Sequence, residues 1–228
     1  MSTESSEFDP RKYDELLPLV TGERLGSYLR ASGGGVVDAF HLYEWNMHTS
    51  ASVMELTSMV EVLVRNALDH ELREWAHARR GGASWLDAAP LDQHGREDIR
   101  KARARATRRG KRAEVHGRVI AELPLGFWRY LVESRYLTAL WIPATQAAFP
   151  NGARDLRTRQ KEVAFQLQQL NFVRNRAAHH EPIHQRDLAR DLGSALDLAG
   201  WISDAAREWV AAKTTLPRLI EEKPRRSE

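Results

Sequence analysis

Apolar residues in this chain recur at three- and four-residue spacing almost everywhere and hardly anywhere in alternation. Val53, Leu56, Val60, Leu63, Val64, Ala67 and Leu68 form the plainest run. At about 3.6 residues per turn these positions share one face of a helix, and that face has to be covered by something apolar. Ala, Leu, Arg and Glu, which favour helix, dominate the sequence. No segment reads as a strand, so the expected fold class is all-α.

The breakers divide the chain into elements. Short helices are expected over residues 13–20 and 24–30, the second capped by Thr21, before the SGGG cluster at 32–35 interrupts. Residues 36–46 and 50–79 follow, as one long helix with an irregularity near His48. A loop bracketed by Gly81, Gly82 and Pro90 leads into a basic helix over 96–112 ended near Gly110. Further helices are expected around 114–121 and 127–149, the latter kinked or split at Pro143. An amphipathic helix from 158 to about 181 is stopped by Pro182. The last long helix spans 185–213, with Leu188, Leu192, Leu196, Ala199, Ile202 and Trp209 facing inward. Residues 1–12 and 214–228 are expected to be flexible tails around one domain over 13–213.

With 228 residues the chain is long enough to bury about 70% of its unfolded surface. It has no Cys, which removes disulfides, thiolate zinc sites and thiol nucleophiles, and fits a reducing cytoplasm. No signal-like or membrane-spanning apolar run is present, so a cytoplasmic protein is expected. The formal charge is only +3, yet between positions 101 and 112, KARARATRRGKR, seven of twelve residues are basic and none is acidic.

Residues 174–184, RNRAAHHEPIH, spell two active sites. His180 and His184 bracket a His-Glu-x-x-His pattern, the zinc-peptidase spacing, with Asp204 or Glu208 as a conceivable third ligand. Pro182 opposes that reading. It lacks an amide hydrogen and its ring clashes with the Ala178 carbonyl, so helix through it costs about 3 kcal/mol. The other spelling is Arg-x4-His, Arg174 to His179. Arg174 falls within the apolar stripe Val163, Leu167, Leu170 and Ala177, where a guanidinium has to be paired or has to line a cleft. Asn175 and His179 lie four apart on a flank of that stripe. His179 sits in the last helical turn, where the negative end of the helix dipole attracts a cation. Arginine to neutralise phosphate oxygens and histidine to move protons suit phosphodiester chemistry. As a structural alternative, Arg174 pairs with Glu61 as a strut.

The stretch LNFVRNRAAHHEPI at 170–183 resembles the C-terminal signature of bacterial abortive-infection (Abi-like) proteins of the HEPN superfamily, Arg-Asn-x3-His followed by His-Glu-Pro. YEWN at 43–46, MVEVLVRNALDHEL at 59–72 and LPLGFWRYL at 123–131 resemble the same family. The resemblance implies a HEPN-type helical bundle, here with additional helices inserted between the first long helix and the motif helix. It also implies a metal-independent endoribonuclease that needs no cofactor and leaves 2′,3′-cyclic phosphate ends. In that reading Arg174 stabilises the transition state, His179 is general acid or base, and Asn175 orients phosphate or imidazole. A homodimer with facing motifs, an RNA substrate such as tRNA, and an RNA or protein antitoxin are implied partners.

The echo VRNALDH at 64–70 repeats Arg-x4-His, but Arg65 reads as an i,i+4 partner of Glu61 while His70 points away. Glu61, Arg65 and His180 are therefore expected to support the site. Lys101, Arg105, Arg108 and Arg112 fall on one face of the basic helix, about 95–113, and are expected to contact RNA. A competing function is a non-catalytic HEPN RNA-binding or adaptor module.

Overall fold

The 44-residue helix Val36–Arg79 (α3) is the axis on which the rest of the chain packs. A computed structural model describes residues 9–79 and 81–224. Among these residues every regular element is helical and no strand occurs. α3 runs without interruption past His48, because Thr49, Ser50, Ser52 and Val53 are buried and packing holds the backbone where propensity alone is weak. Ahead of it, the 3-10 turn Pro10–Lys12 leads into α1 (Tyr13–Val20) and α2 (Gly22–Ala31). The Thr21 hydroxyl accepts the Arg24 amide, which is the expected cap.

Two helices complete the core: α8 (Leu156–Ala178) and α9 (Leu188–Ile202), each packed on α3 and on the other. Asp155 and Asp187 open them by accepting the amides of Thr158 at 2.8 Å and Arg190 at 2.9 Å. Between α3 and α8 lie α4 (Trp85–Ala88), α5 (Gln93–Ala106), α6 (His116–Ala121) and α7 (Leu125–Leu131). Asp69 of α3 ties this insertion down: its Oδ1 accepts the Trp85 indole at 2.7 Å and lies 2.8 Å from His116 Nε2. Trp85 and Trp128 fill the space beneath.

Several expected boundaries moved. Residues 127–149 form no single helix but α7, a 3-10 turn, a π-helical turn over Leu137–Trp141 and another 3-10 turn. The last long helix divides at Ser203, which is extended (φ −167°, ψ 140°), into α9 and α10 (Asp204–Lys213). Trp209, expected inside, is 46% exposed because the break turns α10 away from the stripe of α9. Residues 214–228, expected as a tail, include α11 (Leu216–Glu221), docked on α3 and α9. Leu216 is fully buried and the Trp45 indole donates to the Leu219 carbonyl at 2.7 Å, an anchor that local composition does not reveal. Residues 1–8 and 225–228 of the expected tails lie outside the described residues. No helix among the described residues is long and apolar enough to cross a membrane.

Candidate functional site

The motif helix α8 ends three residues earlier than Pro182 would require. Glu181 N–H donates to the Arg176 carbonyl at 2.8 Å and His180 N–H to that of Ala177 at 3.1 Å, the paired bonds of a Schellman turn. His180 occupies its left-handed position with φ 56°, a conformation histidine tolerates better than most residues other than glycine. His179 is the C-cap, and Pro182 follows a helix that has already closed.

This ending separates the two spellings. His180 is exposed at the turn, whereas His184 is 2% exposed. The His184 ring lies 4.8 Å from that of Tyr28, with Nε2 3.4 Å from Ser27 Oγ. Burial and the nearby Lys223 cation lower its pKa below the ordinary 6.5. The two imidazoles do not converge, and among the described residues no group of three or more His, Asp or Glu is arranged to hold a metal ion.

Arg174 stands at the edge of the buried stripe rather than in its middle. Leu170, Val173 and Ala177 are fully buried around it, while Arg174 itself is half-buried. Its Nη1 donates to Asn175 Oδ1 at 3.3 Å, and it forms no ion pair among the described residues. Glu61 is near enough for Arg174 and Arg65 to oppose the rise that burial imposes on its carboxyl pKa. Neither arginine reaches salt-bridge distance of it. The expected direct Glu61–Arg65 pair is absent: Arg65 Nε donates to Asn66 Oδ1 at 3.4 Å. A long flexible side chain held only by an exposed i,i+4 pair gains little from it.

Around α8, Arg174 and His179 point about 140° apart, and Asn175 lies between them. His179 shares its flank with Asn175 and with Phe172, which is 49% exposed. Asn175 opens onto a cleft of about 390 Å³ lined also by Arg129, Gln168, Asn171, Arg176 and Glu181. The cleft arginines are already neutralised, Arg129 by Glu133 at 2.6 Å and Arg176 by Glu181 at 3.2 Å. Its free hydrogen-bonding capacity is therefore mainly the amides of Gln168, Asn171 and Asn175. That polar stripe was legible at three- and four-residue spacing beside the apolar one and was missed. Arg24 was also missed; it donates to the His180 carbonyl from 156 residues away, beyond any local pattern.

The basic face does not form as expected. α5 ends at Ala106, and Arg108, Arg109 and Gly110 all have positive φ, so Arg108 and Arg112 leave the helical register of Lys101 and Arg105. Thr107 starts the exit by bonding its hydroxyl to the Arg103 carbonyl and accepting the Gly110 amide, and clustered like charges add to the cost of continuing. Arg105 is held by Glu122 at 2.8 Å and Lys101 lies 3.8 Å from Glu97. Intramolecular carboxylates thus compete for two of the four cations. Three comparisons of this chain, with models of known families, with curated proteins and with solved structures, found no match.

Proposed function

We propose that this protein is a metal-independent endoribonuclease of the HEPN type, a cytoplasmic toxin of a bacterial abortive-infection or toxin–antitoxin-like system. The observation that carries the reading is the end of α8. Arg174, Asn175 and His179 sit together there, with Arg174 free of any carboxylate partner among the described residues, while Arg129, Arg176 and Arg186 nearby are all neutralised. A guanidinium outside any salt bridge and an accessible imidazole, both carried by the same helix end, are suited to an anion that the protein does not itself supply.

In this chemistry the ribose 2′-hydroxyl gives up its proton and attacks the adjacent phosphorus. The bond from phosphorus to the 5′-oxygen breaks, and that oxygen is protonated as it leaves. His179 carries one of the two protons, Arg174 neutralises the charge growing on the non-bridging oxygens, and Asn175 orients phosphate or imidazole. The products are a 2′,3′-cyclic phosphate and a 5′-hydroxyl. Because Arg174 and His179 diverge around the helix, a second copy facing the first would bring the arginine of one protomer to the histidine of the other.

Purified protein is expected to cut RNA, tRNA among the first substrates to try, in the presence of EDTA. His179→Ala is expected to lower the rate by about 100-fold or more while circular dichroism and thermal midpoint stay unchanged, since that ring makes no hydrogen bond among the described residues. Full activity in His179→Ala refutes the assignment. Tight RNA binding without cyclic-phosphate ends in the wild type would instead favour the non-catalytic RNA-binding reading.

A further inference from the structure

The turn that closes α8 is fastened by cations from three different elements. The His180 carbonyl accepts Arg24 of α2, that of Pro182 accepts Arg176 of α8 at 2.7 Å, and that of His184 accepts Lys223 Nζ at 2.5 Å. These are alternate residues, so every second carbonyl of the segment is held by a charge-assisted bond. Between them the Ile183 amide donates to Asn46 Oδ1 at 2.8 Å.

Lys223 differs from the other two clamps. Arg24 and Arg176 project from helices of 10 and 23 residues, whereas Lys223 follows α11, whose six residues cannot hold a helix alone. The chain end stays docked because Leu216 enters the core, Thr215 Oγ1 lies 2.8 Å from Ser52 Oγ, and the Trp45 indole bonds the Leu219 carbonyl. The Trp45 ring also lies 5.6 Å from the Lys223 ammonium, a cation–π contact. Of the three clamps, the chain end is the one that yields most easily.

The His184 ring is enclosed among these cations. It is buried, 4.8 Å from the Tyr28 ring and with Nε2 3.4 Å from Ser27 Oγ. The Lys223 charge acts on it directly and, with burial, disfavours its protonated form, while Arg24 and Arg176 both act on the adjoining Tyr28 hydroxyl. From α3 the neighbours are Tyr43, edge-on to Tyr28 at 5.3 Å, and the neutral side chains of Trp45 and Asn46. The carboxylates of the turn and the strap are engaged elsewhere, Glu181 with Arg176 at 3.2 Å and Glu222 with Arg218 at 3.6 Å. A protonated His184 is therefore a fourth cation beside three others, buried and without an anion to offset it. Departure of Lys223, and of the chain end with it, relieves that repulsion.

We propose that His184, Lys223 and α11 form an acid-opened latch: with the imidazole neutral the chain end is fastened across the turn that carries His179, and with it protonated the chain end is released. Opening loosens the turn and lowers cleavage. That consequence rests on the ribonuclease reading, whereas the latch itself is a property of the fold.

Hydrogen–deuterium exchange of the full chain, read by mass spectrometry at about pH 7.5 and about pH 5, tests this in a window above the ordinary carboxylate range. Rates are corrected for the intrinsic pH dependence of amide exchange. Residues 180–186 and 214–223 are expected to exchange together, roughly tenfold faster at the acid pH, while residues 160–173 of α8 stay protected. His184→Phe keeps a ring against Tyr28 without a titratable nitrogen and should abolish the acid response in both segments. His184→Gln carries the same expectation where phenylalanine disturbs the packing. Lys223→Met keeps the aliphatic stem without the charge and should leave both segments fast at either pH. An acid response that is absent from the wild type, confined to one segment or undiminished in both His184 variants overturns the inference, as does full protection in Lys223→Met. No RNA enters the experiment, so its outcome is separable from the success or failure of the ribonuclease reading.

Discussion

His184 is enclosed by the Tyr28 ring, Ser27 and the chain end that carries Lys223, and in that setting the neutral imidazole is favoured. Its folded pKa is depressed, so below the ordinary value near 6.5 the unfolded chain binds more protons than the folded one. The stability it contributes is therefore complete above that value and declines as pH falls through the window beneath it. His184→Phe should flatten this acid-side loss in urea midpoints measured across the window, and an unchanged slope would remove His184 as its source. Four residues before it, His180 faces solvent with a left-handed backbone. Identity and spacing are what a zinc motif requires, and here burial gives the two histidines unrelated environments. Asn46 is a comparable case: one amide in the YEWN stretch closes the turn after α8 through the Ile183 N–H, 137 residues away.

At the scale of elements, caps and breakers act as the local chemistry says they should, while the ends of elements follow the packing. Asp155, Asp187 and Asp92 each cap a helix start. α11 depends on tertiary contact instead. Six residues are too few to be helical alone, and α11 persists because Leu216 enters the core and the Trp45 indole holds the Leu219 carbonyl. Leu216→Ala is expected to destabilise the protein by about 2–5 kcal/mol, measured by equilibrium denaturation. Less than about 1 kcal/mol would mean that α11 is a dispensable flap. The basic segment shows the reverse case, in which a helical pattern of charge ends early because Thr107 and three consecutive left-handed residues take the chain out of register.

For the molecule as a whole, the divergence of Arg174 and His179 around α8 gives the proposed dimer a sharp test. Mixing equal amounts of Arg174→Ala and His179→Ala protein, each inactive alone, should restore about a quarter of wild-type activity if protomers exchange and each cleft takes its arginine and histidine from different copies. No recovery would place both groups of a working site in one protomer. The all-helical class, the long helix over 36–79 and the motif helix were legible in the sequence, because helical periodicity acts between residues a few positions apart. Arg174 at the rim of its stripe, the absence of a direct Glu61–Arg65 pair, buried His184 and docked α11 were not. Each depends on which distant surface covers a residue, and only the packing of α2, α3, α8 and the chain end against one another decides that.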